Sequence, residues 1–165
     1  MRISIFIVLA LTLQSCTDKG LYKESANKVA RSANGAVATA HPLATQAAVN
    51  ILSQGGNAMD AAVSAAFTLT VVEPTMNGIG GRTQILIYSP TSGYHGIDAT
   101  TAAPDDYDYE NAPKKKYGYP SIGIPGTVKG LTKGLEDFGS MNLPVVMSDA
   151  INYAENGHYL IEGEA

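Results

Sequence analysis

Apolar positions along this chain fall into runs of different period, and the period indicates what each run forms. The first is a solid block, Ile3 to Leu13, behind a single positive residue, Arg2. It is too short to cross a bilayer, and small residues, Ser15 and Cys16, follow it after Gln14, so residues 1–15 read as a signal peptide. Residues 16–34 are polar, with Lys19, Lys23, Lys28 and Arg31 spread along them, and read as a tether. The body occupies residues 35–165.

Within the body, Gly35 to Ala40 alternates small and apolar residues and predicts a short buried strand, with His41-Pro42 turning into a helix. From Thr45 to Ser53, Val49, Ile51 and Leu52 lie beside small Ala47 and Ala48, which suits one face against a core, and Gly55-Gly56 stops it. Asn57 offers an N-cap and Asp60 a carboxylate in the first turn. Ala61 to Val72 is apolar almost all round, the pattern of a buried central helix, and Glu73-Pro74 ends it.

The stretch Asn77-Gly-Ile-Gly-Gly-Arg-Thr-Gln-Ile-Leu-Ile-Tyr88 is the focus of the chain. Its glycines permit positive φ and close approach, and they lead into a β-branched strand, Gln84 to Tyr88. Pro90 to Gly93 turns the chain and Tyr94 to Ile97 returns it, completing a hairpin. Periodicity then lapses from Asp98 to Gly123, a length of loop that is functional or mobile. The runs Asp105 to Tyr109 and Lys114 to Lys116 inside it read as solvated faces. Val128, Leu131, Leu135 and Phe138 fall on one helical face closed by Gly139, and a last helix runs from Pro144 to Asn156, stopped by Gly157. Helices mixed with a hairpin define an α/β (α+β) chain.

Composition narrows the function. With 15 acidic against 11 basic residues and a formal charge of −4, and no basic stripe, the chain does not suit nucleic acid. Cys16 is the sole cysteine, which excludes an internal disulfide and a thiolate metal site. Leu13-Gln14-Ser15-Cys16 resembles the lipobox of bacterial lipoproteins, which implies lipidation at Cys16, export to the cell envelope, and contact with the membrane through that anchor alone. The alternative is an ordinary secretory signal with an incidental Cys. His41, His95 and His158 lack ligand spacing, so no metal or other cofactor is expected.

The glycine turn itself has two readings, a packing turn between helix and strand or the edge of a site. Nucleotide binding is not among them. A dinucleotide fingerprint needs a strand before the glycines and a helix after, and Thr83 stands where its third Gly would be; a phosphate loop would need Gly-Lys-Ser/Thr.

Taken together, Gly55-Gly-Asn-Ala-Met-Asp-Ala-Ala62, Gly78-Ile-Gly-Gly81 before an apolar strand, Ala103-Pro104, and Gly123-Ile-Pro-Gly-Thr-Val128 resemble the amino-terminal part of γ-glutamyltransferases (γ-glutamyltranspeptidases, glutathione hydrolases), from about Gly35 to Glu162. The resemblance implies an αββα sandwich of the N-terminal nucleophile hydrolase type, incomplete in this chain. It also implies a precursor that cuts itself into large and small subunits, a Thr nucleophile at the new N-terminus whose own amine is the base, and a γ-glutamyl substrate. That Thr, and the small-subunit partner, would lie downstream, so this stretch alone should not turn over. Thr100-Thr101 is internal and has no free amine.

Two departures from the family pattern concern substrate binding. Family members carry an Arg for the α-carboxylate after the hairpin Asp, where this chain has Thr100 in Asp98-Ala-Thr-Thr-Ala-Ala-Pro104. The turn also reads Gly80-Gly81-Arg82-Thr83 where members often continue in Gly. Either Arg82 supplies the missing cation from across the pocket, with Gly80 and Gly81 at its edge, or it pairs with a surface carboxylate such as Asp98. Glutathione, another γ-glutamyl compound and a β-lactam-like amide all stand as substrates. A non-catalytic envelope lipoprotein that keeps the fold as a binding module is the competing reading.

Overall fold

The computed structural model describes Val29, residues 31–112 and residues 117–161. The signal peptide, Cys16, residues 17–28 and 30 of the tether, and the Lys114 to Lys116 run lie outside the described residues. The chain divides into a main unit, Ala30–His158, and a second made of Met1–Val29 with Tyr159–Ala165. Of the second, Val29, Tyr159 and Leu160 are exposed and Ile161 is half-buried. All that follows concerns the main unit.

Its elements in order are α1 (Pro42–Ser53), α2 (Ala58–Val72), β1 (Thr83–Ser89), β2 (Gly93–Ala99), a single 3-10 turn (Tyr119–Ser121), α3 (Thr127–Phe138), α4 (Leu143–Val146) and α5 (Ser148–Asn156). α1 starts earlier than the apolar pattern suggests. His41 Nδ1 accepts the Leu43 N–H at 3.1 Å and caps the helix, and Pro42 sits at the first helical position, where its missing N–H costs nothing. At the far end Gly55 takes φ +90, the left-handed conformation that stops a helix.

α2 begins as read from the sequence. Asn57 Oδ1 accepts from Met59 and Asp60 N–H while Asp60 Oδ2 accepts the Asn57 N–H at 2.7 Å, a reciprocal capping box. The helix is the centre of the core. Met59, Ala61, Val63, Ala65 and Phe67 pack with Ala48 and Ile51 of α1, Leu131 and Leu135 of α3, Val146 of α4 and Ala150 of α5. Each large aliphatic side chain so buried contributes about 1.5–3 kcal/mol. α2 is nevertheless not enclosed all round, since Ala62 is exposed and Ala66 half-buried.

On that open side lies the segment expected to be a buried strand. Residues 35–40 form no regular element and are mostly exposed, and no ladder pairs them among the described residues. They form one wall of a groove of about 700 Å³ whose other wall includes Leu52, Ala61, Ala65 and Leu69. Alternation of small residues therefore does not by itself report a buried strand here.

β1 and β2 form an antiparallel hairpin with Ile85 opposite Ile97 and Tyr88 opposite Tyr94, and Gly93 at φ +81 completes its turn. Burial alternates along both strands. Ile85 and Ile87 pack against the helical core, and the opposite face presents Leu86, Tyr88 and Tyr94, all largely exposed. α3 lies against the inner face at Gly130 and Gly134, where an added Cβ would collide with Ala99 Cβ and with Met59 Cε. The last helix is broken: Met147 separates α4 from α5, where the sequence pattern suggested one continuous helix from Pro144. Asn142 caps α4 through its side chain, and Gly157 at φ +79 ends α5.

Candidate functional site

The glycine turn lies between the end of α2 and β1, and its bonds tie it to a distant helix. Gly81 N–H donates to Gly78 O at 3.3 Å, closing the turn. Gly81 O in turn accepts the N–H groups of Gly126 and Thr127 at 3.1 and 3.3 Å. Gly126 has no side chain to cap α3, so a main-chain carbonyl from the turn serves the first donors of that helix instead. Upstream, Glu73 holds the approach by accepting from Asn77 Nδ2 at 3.0 Å and from the Asn77 N–H at 3.1 Å.

The conformational reason for the glycines differs from the expectation. Gly78, Gly80 and Gly81 do not have positive φ. Only Gly81 is close to a neighbour: a Cβ there would lie 3.3 Å from Gly78 O and 3.6 Å from Thr127 Oγ1, while at Gly78 and Gly80 it would meet nothing within 4 Å. Thr127 itself was missed by sequence reasoning. It is buried beneath the turn, and its hydroxyl makes no hydrogen bond. Its signal in the sequence is its place in Gly123-Ile-Pro-Gly-Thr-Val128, one of the segments that carry the family resemblance.

Past the turn, the hairpin's open end gathers the predicted site residues. The last ladder pairs are Thr83 with Ala99 and Gln84 with Asp98, so Arg82 and Thr100 are the next residues out on the two strands. Arg82, Gln84, Asp98 and Thr100 are all exposed and continue the outward phase of the alternation. Asp98 Oδ1 accepts the Thr100 N–H at 3.1 Å. That bond and the Thr100 hydroxyl hold the Asp98 carboxyl below its ordinary range, burial acts weakly the other way, and Gln84 adds to the lowering. Of the two readings of Arg82, the pairing with Asp98 is not what the structure shows: among the described residues Arg82 makes neither an ion pair nor a hydrogen bond. Thr101 faces Gly123, just past the hairpin, where Ala102 and Ile124 exchange bonds of 3.1 and 2.8 Å that pinch the loop shut at its neck. Within that loop Asp105, Asp106 and Asp108 are exposed, as a solvated run should be.

The histidines are apart from this corner in their bonding. His95 stacks near Phe138 with centroids 4.9 Å apart and meets Ser92 Oγ at 2.8 Å. His41 and His158 approach edge to face at 6.3 Å, which their sequence separation did not suggest. Among the described residues no group of three or more His, Cys, Asp or Glu is placed to hold a metal. No described helix is long and apolar enough to cross a membrane.

At the other end of α3 lies a carboxylate of the opposite kind. Asp60 is fully buried, and its oxygens accept from Asn57 N at 2.7 Å, Ser140 N at 2.9 Å, Ser140 Oγ at 2.6 Å and Met141 N at 3.0 Å. Burial pushes the carboxyl up, but the Ser140 hydroxyl and the N–H groups of Asn57, Met141 and Ser140 together outweigh it and hold the group below its ordinary value. With its acceptor capacity occupied, Asp60 is a brace between the start of α2 and the link from α3 to α4.

Comparison with known proteins defines the class. The family model for gamma-glutamyltranspeptidase matches residues 44–163. A glutathione hydrolase proenzyme of Bacillus subtilis (strain 168) is 37% identical over 135 residues, which cover 75% of this chain and 23% of that relative. The crystal structure of Helicobacter pylori gamma-glutamyltranspeptidase superposes with a TM-score of 0.72 at 32% identity, over 79% of this chain and 40% of that one. A cephalosporin acylase from Bacillus halodurans gives a TM-score of 0.72 at 33% identity, over 86% of this chain and 27% of that one. This chain belongs to the gamma-glutamyltranspeptidase family. Its α+β architecture is a partial N-terminal nucleophile hydrolase fold, and it spans about a quarter of the curated relative's length.

Proposed function

We propose that this chain is the front part of the large subunit of an exported enzyme that cleaves or transfers γ-glutamyl groups. The observation that carries the proposal is family membership from residue 44 to 163, with relatives named glutathione hydrolase and transpeptidase. The name proenzyme borne by the first of these supports a precursor that is cut before it acts. In this reading the nucleophile is a Thr hydroxyl downstream. It adds to the γ-amide carbonyl while the Thr amine takes its proton, the leaving amine departs with a proton, and water or an acceptor amine then releases the glutamyl ester.

This stretch supplies one wall of the acyl pocket: Gly80 and Gly81 as its edge, Arg82 as its cation, and Thr100 at the position where other members carry their Arg. Residues 1–15 act as a lipoprotein signal and residues 16–34 as a tether from a lipidated Cys16, which places the enzyme at the bacterial envelope. The small subunit cut from the same precursor completes the fold over the outer face of the hairpin.

The full-length precursor carrying this segment should convert from one band to two on incubation and release the chromophore from γ-glutamyl-p-nitroanilide. Replacing the Thr at the new N-terminus by Ala should leave a single band. A precursor that neither cuts itself nor releases chromophore would favour the binding module. Cys16→Ser should move the protein from the membrane to the soluble fraction; unchanged membrane retention would remove the lipid anchor from the proposal.

A further inference from the structure

α1 carries no charged side chain from Pro42 to Ser53, and its first turn is held by a knot of uncharged bonds centred on His41. The imidazole is buried, and its Nδ1 accepts the Leu43 N–H at 3.1 Å. The main-chain oxygen of the same residue accepts twice, from the Thr45 N–H at 3.1 Å and from Thr39 Oγ1 at 2.7 Å. The Thr39 and Thr45 hydroxyls meet at 2.7 Å, and since Thr39 donates to His41, Thr45 supplies the proton of that bond. Thr39 is also the last residue of the groove wall, and Val37, two residues before it, packs against the core. The knot therefore fastens the wall to the helix.

Nδ1 accepts a hydrogen bond only in the neutral imidazole, because both ring nitrogens of the imidazolium donate. A proton at Nδ1 sets two donors against each other and removes the cap. It also places a buried cation at the positive end of α1, whose first turn has no acidic residue to offset it. The titratable groups that face His41 among the described residues come from α5 and the turn after it. His158 lies edge to face with His41 at 6.3 Å, and Tyr153 lies 6.3 Å behind His158. The Tyr153 phenol is pushed up by burial and then by Asp149, so it stays uncharged. Asp149 itself is engaged at the other end of α1, where it accepts from Asn50 Nδ2 at 3.0 Å. A form in which the His41 ring has left its pocket takes up the proton without these costs, so acid favours that form. We propose that His41 is an acid-sensitive latch: neutral, it caps α1 and holds residues 34–39 as the groove wall, and on protonation it releases both, so that the groove opens. The closed form prevails above the ordinary histidine value of about 6.5 and gives way as pH falls below it. The latch is independent of the acyl-transfer reading.

Hydrogen exchange in the full-length protein that carries this segment tests the latch directly. Corrected for the pH dependence of intrinsic exchange, the Leu43 and Thr45 amides should exchange about tenfold faster at about pH 5.5 than at about pH 7.5, as uptake of one proton per opening requires. His41→Asn keeps a capping acceptor and takes up no proton. It should preserve the protection seen at neutral pH and abolish the rise in acid. No rise in the unaltered protein, or a rise that persists in the Asn variant, would overturn the latch. Should that variant fail to fold, the ring nitrogens of His41 in the unaltered protein, followed by nitrogen-15 NMR, decide the matter. An Nδ1 that is bare at neutral pH and gains its proton in step with amide opening supports the latch. A ring that stays neutral while the amides open, or that is protonated while they stay closed, overturns it.

Discussion

The two ends of α3 meet two carboxylates, and the contrast between them separates a structural charge from one open to a ligand. At the C-terminal end the Gly139 to Met141 link closes over Asp60, which is fully buried and accepts from the N–H groups of Asn57, Ser140 and Met141 and from the Ser140 hydroxyl. At the N-terminal end Gly81 secures α3 through its main-chain carbonyl, and the nearby charges, Arg82 and Asp98, are exposed. A buried charge persists only when its surroundings replace water, whereas an exposed one retains capacity for an incoming group. The first end fixes helices to one another. The second leaves a polar surface on a rigid support.

The largest effect should follow from breaking the saturated end. Asp60→Ala strands several buried donors at about 1–3 kcal/mol each, so the protein should lose on the order of 3 kcal/mol or more in denaturant unfolding, or fail to accumulate folded. A loss below 1 kcal/mol would mean that Asp60 does not brace the link. The same carboxylate gives a pH signature. Its folded pKa lies below the ordinary value of 3.8, so its stabilisation is present above that value and is lost as pH falls through the folded pKa. Asp60→Asn should therefore flatten the acid limb of the stability curve below about pH 4 while lowering stability at neutral pH. An acid limb of unchanged steepness would assign that dependence to other carboxylates.

Smaller effects are expected at the glycine turn. Thr127→Val keeps the shape and removes a buried hydroxyl that has no partner, so it should be neutral or stabilising by about 1 kcal/mol; a loss of that size would reveal a bond that the hydroxyl makes. Gly80→Ala meets open space at a backbone without positive φ and should change stability by no more than about 0.5 kcal/mol. Measured by thermal unfolding, a larger cost at Gly80 would mean that the turn is as closely packed as the Asp60 end.

Local chemistry was legible where the responsible groups are neighbours in sequence. Asn57 is visible as an N-cap with Asp60 in the first turn, though not their reciprocal bonding, the hairpin turn is visible in Pro90 to Gly93, and the Gly139 stop is visible from helical spacing. The helix break at Met147 was not, because Val145, Met147, Ala150 and Ile151 keep a helical pattern across it while Asn142 caps a separate short turn. The strand expected from Gly35 to Ala40 failed for another reason: alternation of small residues permits a strand, but nothing in it supplies a sheet to accept one. At the site, family resemblance pointed to Arg82 and Thr100. That they are cross-strand neighbours depends on hairpin register, and the joining of Gly81 to Thr127 depends on a contact 46 residues apart in sequence, which no local pattern encodes.

The outer face of the hairpin has a consequence for how such a chain is made. Leu86, Tyr88 and Tyr94 form an apolar surface, and neither β1 nor β2 has a further strand beside it among the described residues. Until that surface is covered, it offers both apolar contact and free backbone donors and acceptors to any other extended chain nearby. On the ribosome an uncovered face of this kind is a window of vulnerability to aggregation. Yield of soluble protein should therefore rise with slower synthesis or lower temperature, and Leu86→Lys should raise it further by placing a charge on the exposed face without touching the packed one.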